Sequence, residues 1–153
     1  MYPDLEAMCF DGGVFKEDNR RRESKLGFRH DRVRDYLLID AMAEKLSKGE
    51  YLADYLTDPF YTELVARAAL RAKLSKEYWD RLQAEQPLLC FCSLKHASKE
   101  NTPHIHTLQA RCETLVENGV LSIVSEPVRR AIEWQIAGLQ GGASTKLMAA
   151  TRA

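Results

Sequence analysis

The sequence predicts a mainly α fold in which a short β-hairpin is followed by antiparallel helical hairpins. Three observations carry this. A Gly-Gly break at Gly12 and Gly13 is followed by two short apolar strings, Val14-Phe15 and Leu26 to Phe28, on either side of a polar, Arg-rich stretch. From Asp31 onward, apolar residues recur at helical spacing. The helical segments are punctuated by Asp-Pro, Thr-Pro and Ser-Glu-Pro starts and by Gly or Asn-Gly stops. With 45% hydrophobic and 29% charged residues, the chain has enough apolar surface to fold instead of remaining disordered.

In chain order, Asp4 to Phe10 reads as the end of a helix, and Val14 to Phe28 as a β-hairpin whose tip is Asp18 to Ser24. Asp31 is placed to cap a helix with apolar positions Val33, Tyr36, Leu37, Ala41, Met42 and Leu46, stopped by Gly49. A helical turn is expected at Tyr51 to Leu56. Asp58 and Pro59 then open a helix whose rows Phe60, Leu64, Ala68 and Tyr61, Val65, Ala69 form one wide buried face.

Ser75 opens the next helix, carrying Tyr78, Trp79 and Leu82, and Pro87 ends it and begins another, Leu88 to His96. Thr102 and Pro103 open a helix with Ile105, Leu108, Cys112, Leu115 and Val116 on one stripe, closed by Asn118 and Gly119. Ser125, Glu126 and Pro127 open the last, with Val128, Ile132, Ile136 and Leu139 inward, before Gly141 and Gly142. Short polar turns between amphipathic helices favour antiparallel pairs. Solenoid-like stacking is open to them, resting on helix length and spacing alone, since no repeated signature occurs. The expected divisions are residues 1–48, 49–142 and a flexible tail at 143–153, which has no apolar stripe.

Composition narrows the function. Lys plus Arg and Asp plus Glu are both 22, so the chain has none of the electrostatic pull toward nucleic acid or anionic lipid of a basic domain. No window approaches the ~18 uninterrupted apolar residues of a membrane span, and the start is acidic, so a cytoplasmic protein is expected. Cys9, Cys90, Cys92 and Cys112, without a secretory signal, read as reduced thiols.

A P-loop needs a Gly-rich turn running into Lys and Ser or Thr, and no such string occurs; nucleophile-elbow, zincin and dinucleotide patterns are also absent, so no enzymatic activity is expected of the chain alone. Cys90, Cys92, His96, His104, His106 and Cys112 are of the right type for zinc but wrongly spaced. On a helix, Cys90 and Cys92 point roughly 200° apart. No metal site is expected.

Arg20, Arg21 and Arg22 at the hairpin tip, with Arg29, Arg32 and Arg34 nearby, are of the type that touches phosphate backbones. Residues 1–34 hold eight basic side chains against seven acidic ones, so a solvated loop is the plainer reading and nucleic acid is not the expected partner. His30 and Asp31 stand at a strand-to-helix corner, where a capping Asp31 and a His30 bonded to a carbonyl suffice structurally.

Gly12-Gly13-Val14-Phe15, the polar tip, and Phe28-Arg29-His30-Asp31-Arg32-Val33-Arg34-Asp35-Tyr36-Leu37-Leu38 together resemble the end of the winged-helix domain of STAND-class signalling ATPases, the NACHT and AP-ATPase group. The resemblance covers about Leu5 to Leu46. It implies that the hairpin is the wing, that helical arm or repeat regions follow, and that His30 approaches the terminal phosphate of bound ADP and reports nucleotide state. It also implies a P-loop ATPase domain as partner, in cis or in trans, with ADP or ATP bound only when that domain is supplied. The chain would then be a fragment or split part of a nucleotide-switch protein.

The leading expectation is therefore a non-catalytic regulatory and interaction module, its helical region binding a protein. The alternative is a DNA-binding winged helix with a helical dimerisation region, which requires a recognition helix before Asp4, where there is no room for it. A small metal enzyme built on the Cys and His set is the third class. An incomplete winged helix would leave apolar surface around Phe10, Val14 and Phe28, so self-association is also expected.

Overall fold

The computed structural model describes residues 15–18, 25–28, 31–50, 59–72, 74–100, 105–139 and 147–149. The chain is mainly helical and divides into two compact units, Met1–Ala41 and Met42–Ala153.

In the first unit, strands β1 (Phe15–Asp18) and β2 (Lys25–Phe28) pair antiparallel, with Phe15 opposite Phe28 and Asp18 opposite Lys25. Pairing therefore reaches into Lys16 to Asp18, beyond the apolar Val14-Phe15 string. Asp18, expected in the tip, is thus the last residue of β1, while residues 19–24, Val14 and the surface around Phe10 lie outside the described residues.

Helix α1 is Asp31–Ser47. Asp31 lies in its first turn, where a carboxylate meets the positive end of the helix dipole, and pairs with Arg34 at 3.3 Å. At the other end Gly49 takes φ 79°, Gly49 N–H donates to the Leu46 carbonyl and Glu50 N–H to the Lys45 carbonyl. These two bonds close a Schellman turn, which needs the left-handed residue that glycine supplies at no steric cost. The buried positions of α1 are Ile39, Met42 and Leu46. Tyr36 and Leu37, expected inside, are exposed, as is Ala41.

The second unit is built round one helix. Helices α2 (Pro59–Arg71), α3 (Lys76–Glu85), α4 (Pro87–Glu100), α5 (Ile105–Glu117), α6 (Val120–Ile123) and α7 (Glu126–Ala137) follow in order. Helices α2, α3, α5 and α7 all pack against α4. Its composition explains this: Leu89 to Lys95 are seven consecutive buried residues, so every face of the helix is covered. A hub with non-consecutive neighbours is not the nearest-neighbour stacking of a solenoid, and that expectation does not describe these helices.

Local signals set most of the helix ends. The Ser75 hydroxyl accepts a hydrogen bond from Tyr78 N–H at 3.2 Å, capping α3. The Tyr78 hydroxyl donates to the Glu50 carbonyl at 2.9 Å, tying α3 to the turn after α1. Pro87 begins α4, which runs on to Glu100, beyond the expected end at His96. Gly119 takes φ 73° after α5. The short α6 was not expected from the sequence, and α7 ends at Ala137 with Gly138 as its cap, before the Gly141-Gly142 pair, which lies outside the described residues. The expected turn at Tyr51 to Leu56 and the starts at Asp58, Thr102 and Pro103 also lie outside them, apart from Pro59.

On α2 the buried residues Leu64, Val65, Ala68 and Ala69 are joined by Thr62 and Ala66, and by Ala72 just past its end, whereas Tyr61 of the expected rows is only half-buried. The core joins Phe91, Leu94 and Cys90 of α4 to Leu108 and Cys112 of α5 and to Ile132 and Ile136 of α7. Leu147 belongs to it as well, 1% exposed, with residues 147–149 helical and Met148 packed against the cluster. The segment expected to fray thus supplies a core side chain.

Candidate functional site

Helix α1 carries a charged first turn followed by two exposed large side chains, Tyr36 and Leu37. Arg34 donates to the Asp35 carboxylate through Nε at 3.0 Å and a terminal nitrogen at 2.8 Å, and also pairs with Asp31. Arg34 is thereby held in a local network, while Arg32 is exposed on the same turn. The next two residues are Tyr36, 55% exposed, and Leu37, 46% exposed. Geometry explains why they are not inside. With ~100° per residue, the mean direction of Ile39, Met42 and Leu46 lies about 90° from Tyr36 and nearly opposite Leu37. Ile39 is the position that sequence reasoning missed. Once it defines the inward stripe, the aromatic-Leu pair must face elsewhere.

His30, Arg20, Arg21, Arg22 and Arg29 lie outside the described residues. Arg32 is thus the only member of the expected interaction set within them, and it is an exposed cation at the start of α1.

The second unit holds a charged side chain that the sequence reading did not single out. Lys95, on the hub helix α4, is 7% exposed, with its ammonium 4.0 Å from the centre of the Trp134 ring of α7 and 3.7 Å from a Glu63 carboxylate oxygen of α2. Three helices therefore converge on one cation. The aliphatic stem is covered in the core while the head is met by a ring face and a half-exposed carboxylate, an arrangement that lysine's length permits. A lysine directly after seven residues from Leu88 to Leu94 that are all apolar or small was the available signal. Gln135 and Ser93 are also buried, each with a side-chain oxygen that has no hydrogen-bond partner among the described residues.

The cysteines divide from the histidines. Cys90, Cys92 and Cys112 are buried free thiols. Burial pushes Cys90 up to about 12 against the opposing charge of Arg111, and pushes Cys92 up to about 12 with Glu63 adding to it. Cys112 is raised as well, first by burial and then by the neighbouring thiols. Protonated at neutral pH, these thiols are poor nucleophiles and poor metal ligands. His96 is half-buried, His106 is exposed and His104 lies outside the described residues. Among the described residues no three His, Cys, Asp or Glu side chains converge in a way that could hold a metal ion.

Arg111 links α5 to α3 through Asp80 at 2.5 Å and Gln83 at 3.1 Å. It lines a small surface recess of about 20 Å³ with Trp79, Thr107 and Leu108, the room of about one water molecule. Among the described residues no helix is long and apolar enough to cross a membrane.

No protein-family model, no curated protein and no solved structure matches the chain.

Proposed function

We propose that the chain is a non-catalytic regulatory and interaction module that docks through the start of α1 on a P-loop ATPase domain, supplied in cis or in trans. The observation that carries this reading is the exposure of Leu37, nearly opposite the inward stripe of α1 and directly after a charged first turn, with Tyr36 exposed on the flank of the same helix. A large apolar side chain such as Leu37 on the outward side of a helix gains by being covered, and burying a Leu side chain is worth about 1.5–3 kcal/mol. Both residues belong to the segment that resembles the end of a STAND-class winged helix, in which the paired strands serve as the wing and the later helices as an arm of helical hairpins.

Within that reading His30, immediately before α1, is the nucleotide-sensing residue. An imidazole N–H there donates to the terminal phosphate of ADP held by the partner, and loss of that contact on nucleotide exchange loosens the docking without abolishing it. Arg32 and the arginines Arg20, Arg21, Arg22 and Arg29 supply cationic contacts around the same interface. The helices of the second unit carry the change in docking to a protein partner.

The test titrates labelled ADP and ATP into the chain alone and into its mixture with a P-loop ATPase domain encoded in the same genomic neighbourhood, for wild type, His30→Ala and Leu37→Ser. Binding is expected only in the mixture. Leu37→Ser should weaken the protein complex with or without nucleotide, whereas His30→Ala should weaken ADP binding and leave nucleotide-free association intact. Absence of any complex, or a complex indifferent to both substitutions, overturns the reading and leaves a helical scaffold.

A further inference from the structure

We draw no further inference here: the strongest candidate, the buried Lys95 ammonium at the seam of α2, α4 and α7, carries nothing beyond the packing already described, because Glu63 and the Trp134 ring face meet its charge and nothing in the structure points from it to a ligand.

Discussion

The Lys95 ammonium lies 4.0 Å from the centre of the Trp134 ring, so the hub helix α4 grips α7 through a charge as well as through apolar packing. Trp134 is 65% exposed, and its ring still has one face occupied by a cation whose own side chain is 8% exposed. A cation over an indole contributes about 0.5–1 kcal/mol at an exposed site and about 2 kcal/mol when desolvated, and this pair lies between those limits. In a double-mutant cycle of Lys95→Met and Trp134→Ala, read by urea unfolding, a coupling of about 1 kcal/mol is expected. Strict additivity would mean that the ring and the ammonium are neighbours without being partners.

Gly138 is shaped by the same lysine. Its φ is −87°, a conformation open to any residue, so the backbone does not demand glycine there. Space does: a Cβ would stand 3.2 Å from Lys95 Cε and 3.5 Å from Cδ. Alanine is otherwise the better residue next to a helix by up to about 1 kcal/mol, so the sign of Gly138→Ala depends on whether Lys95 can yield. Held between Glu63 and Trp134, it yields poorly. The substitution is expected to lower the melting temperature in the wild-type background and to raise it in a Lys95→Ser background. The same sign in both backgrounds would remove Lys95 as the cause.

These contacts separate what was legible in the sequence from what was not. Ser75, Pro87, Gly49 and Gly119 mark helix ends because a cap, a missing N–H or a left-handed residue acts within one turn of its own position. The inward stripe of α5 was legible for a similar reason, with Leu108 and Cys112 one helical turn apart. The hub role of α4 is tertiary. An apolar run without periodicity says that a helix is covered, but not by which partners. Tyr36 is exposed in spite of its aromatic character because Ile39 sets the stripe. Of the candidate site, only Arg32 falls where its surroundings are described, and Lys95 is not legible as buried because a lysine in an apolar run reads first as a surface residue.

The three thiols give the fold a pH signature. An unfolded thiol loses its proton near 9, whereas folded Cys90 and Cys92 keep theirs to about 12. Between those values the folded state binds more protons than the unfolded one, so stability is complete below about pH 9 and falls as pH rises, by at most about 1.4 kcal/mol per pH unit for each thiol. Cys112, also raised, acts in the same direction. In a Cys9→Ser protein, so that only these three report, a thiol-specific label at pH 8 is expected to leave the native chain unmodified and to add three groups in denaturant. The melting temperature should decline above pH 9, less steeply once Cys90 is replaced by Ala. Rapid labelling of the native protein would show that the thiols are reached without unfolding.

Leu147 decides how far the second unit extends. The stretch after Gly142 holds small and polar residues around a single Leu-Met pair, Leu147-Met148, and one pair is too little to form a stripe, which is why the sequence suggested a frayed end. One buried side chain is nevertheless enough to fasten a segment when the groove that receives it is already made, here by the cluster that contains Phe91, Ile132 and Ile136. A Leu→Ala change in such a core lowers stability by about 2–5 kcal/mol, the value depending on how well the site closes over the space left. Leu147→Ala is therefore expected to shift the urea midpoint of the chain markedly downward, while Ala149→Ser, at an exposed position one helical step beyond Met148, leaves it unchanged. Hydrogen exchange gives an independent reading, since the Leu147→Ala protein should exchange faster in α7, whose Ile132 and Ile136 belong to the same cluster. Should both substitutions prove equally silent, Leu147 contributes no core energy and the second unit ends at α7.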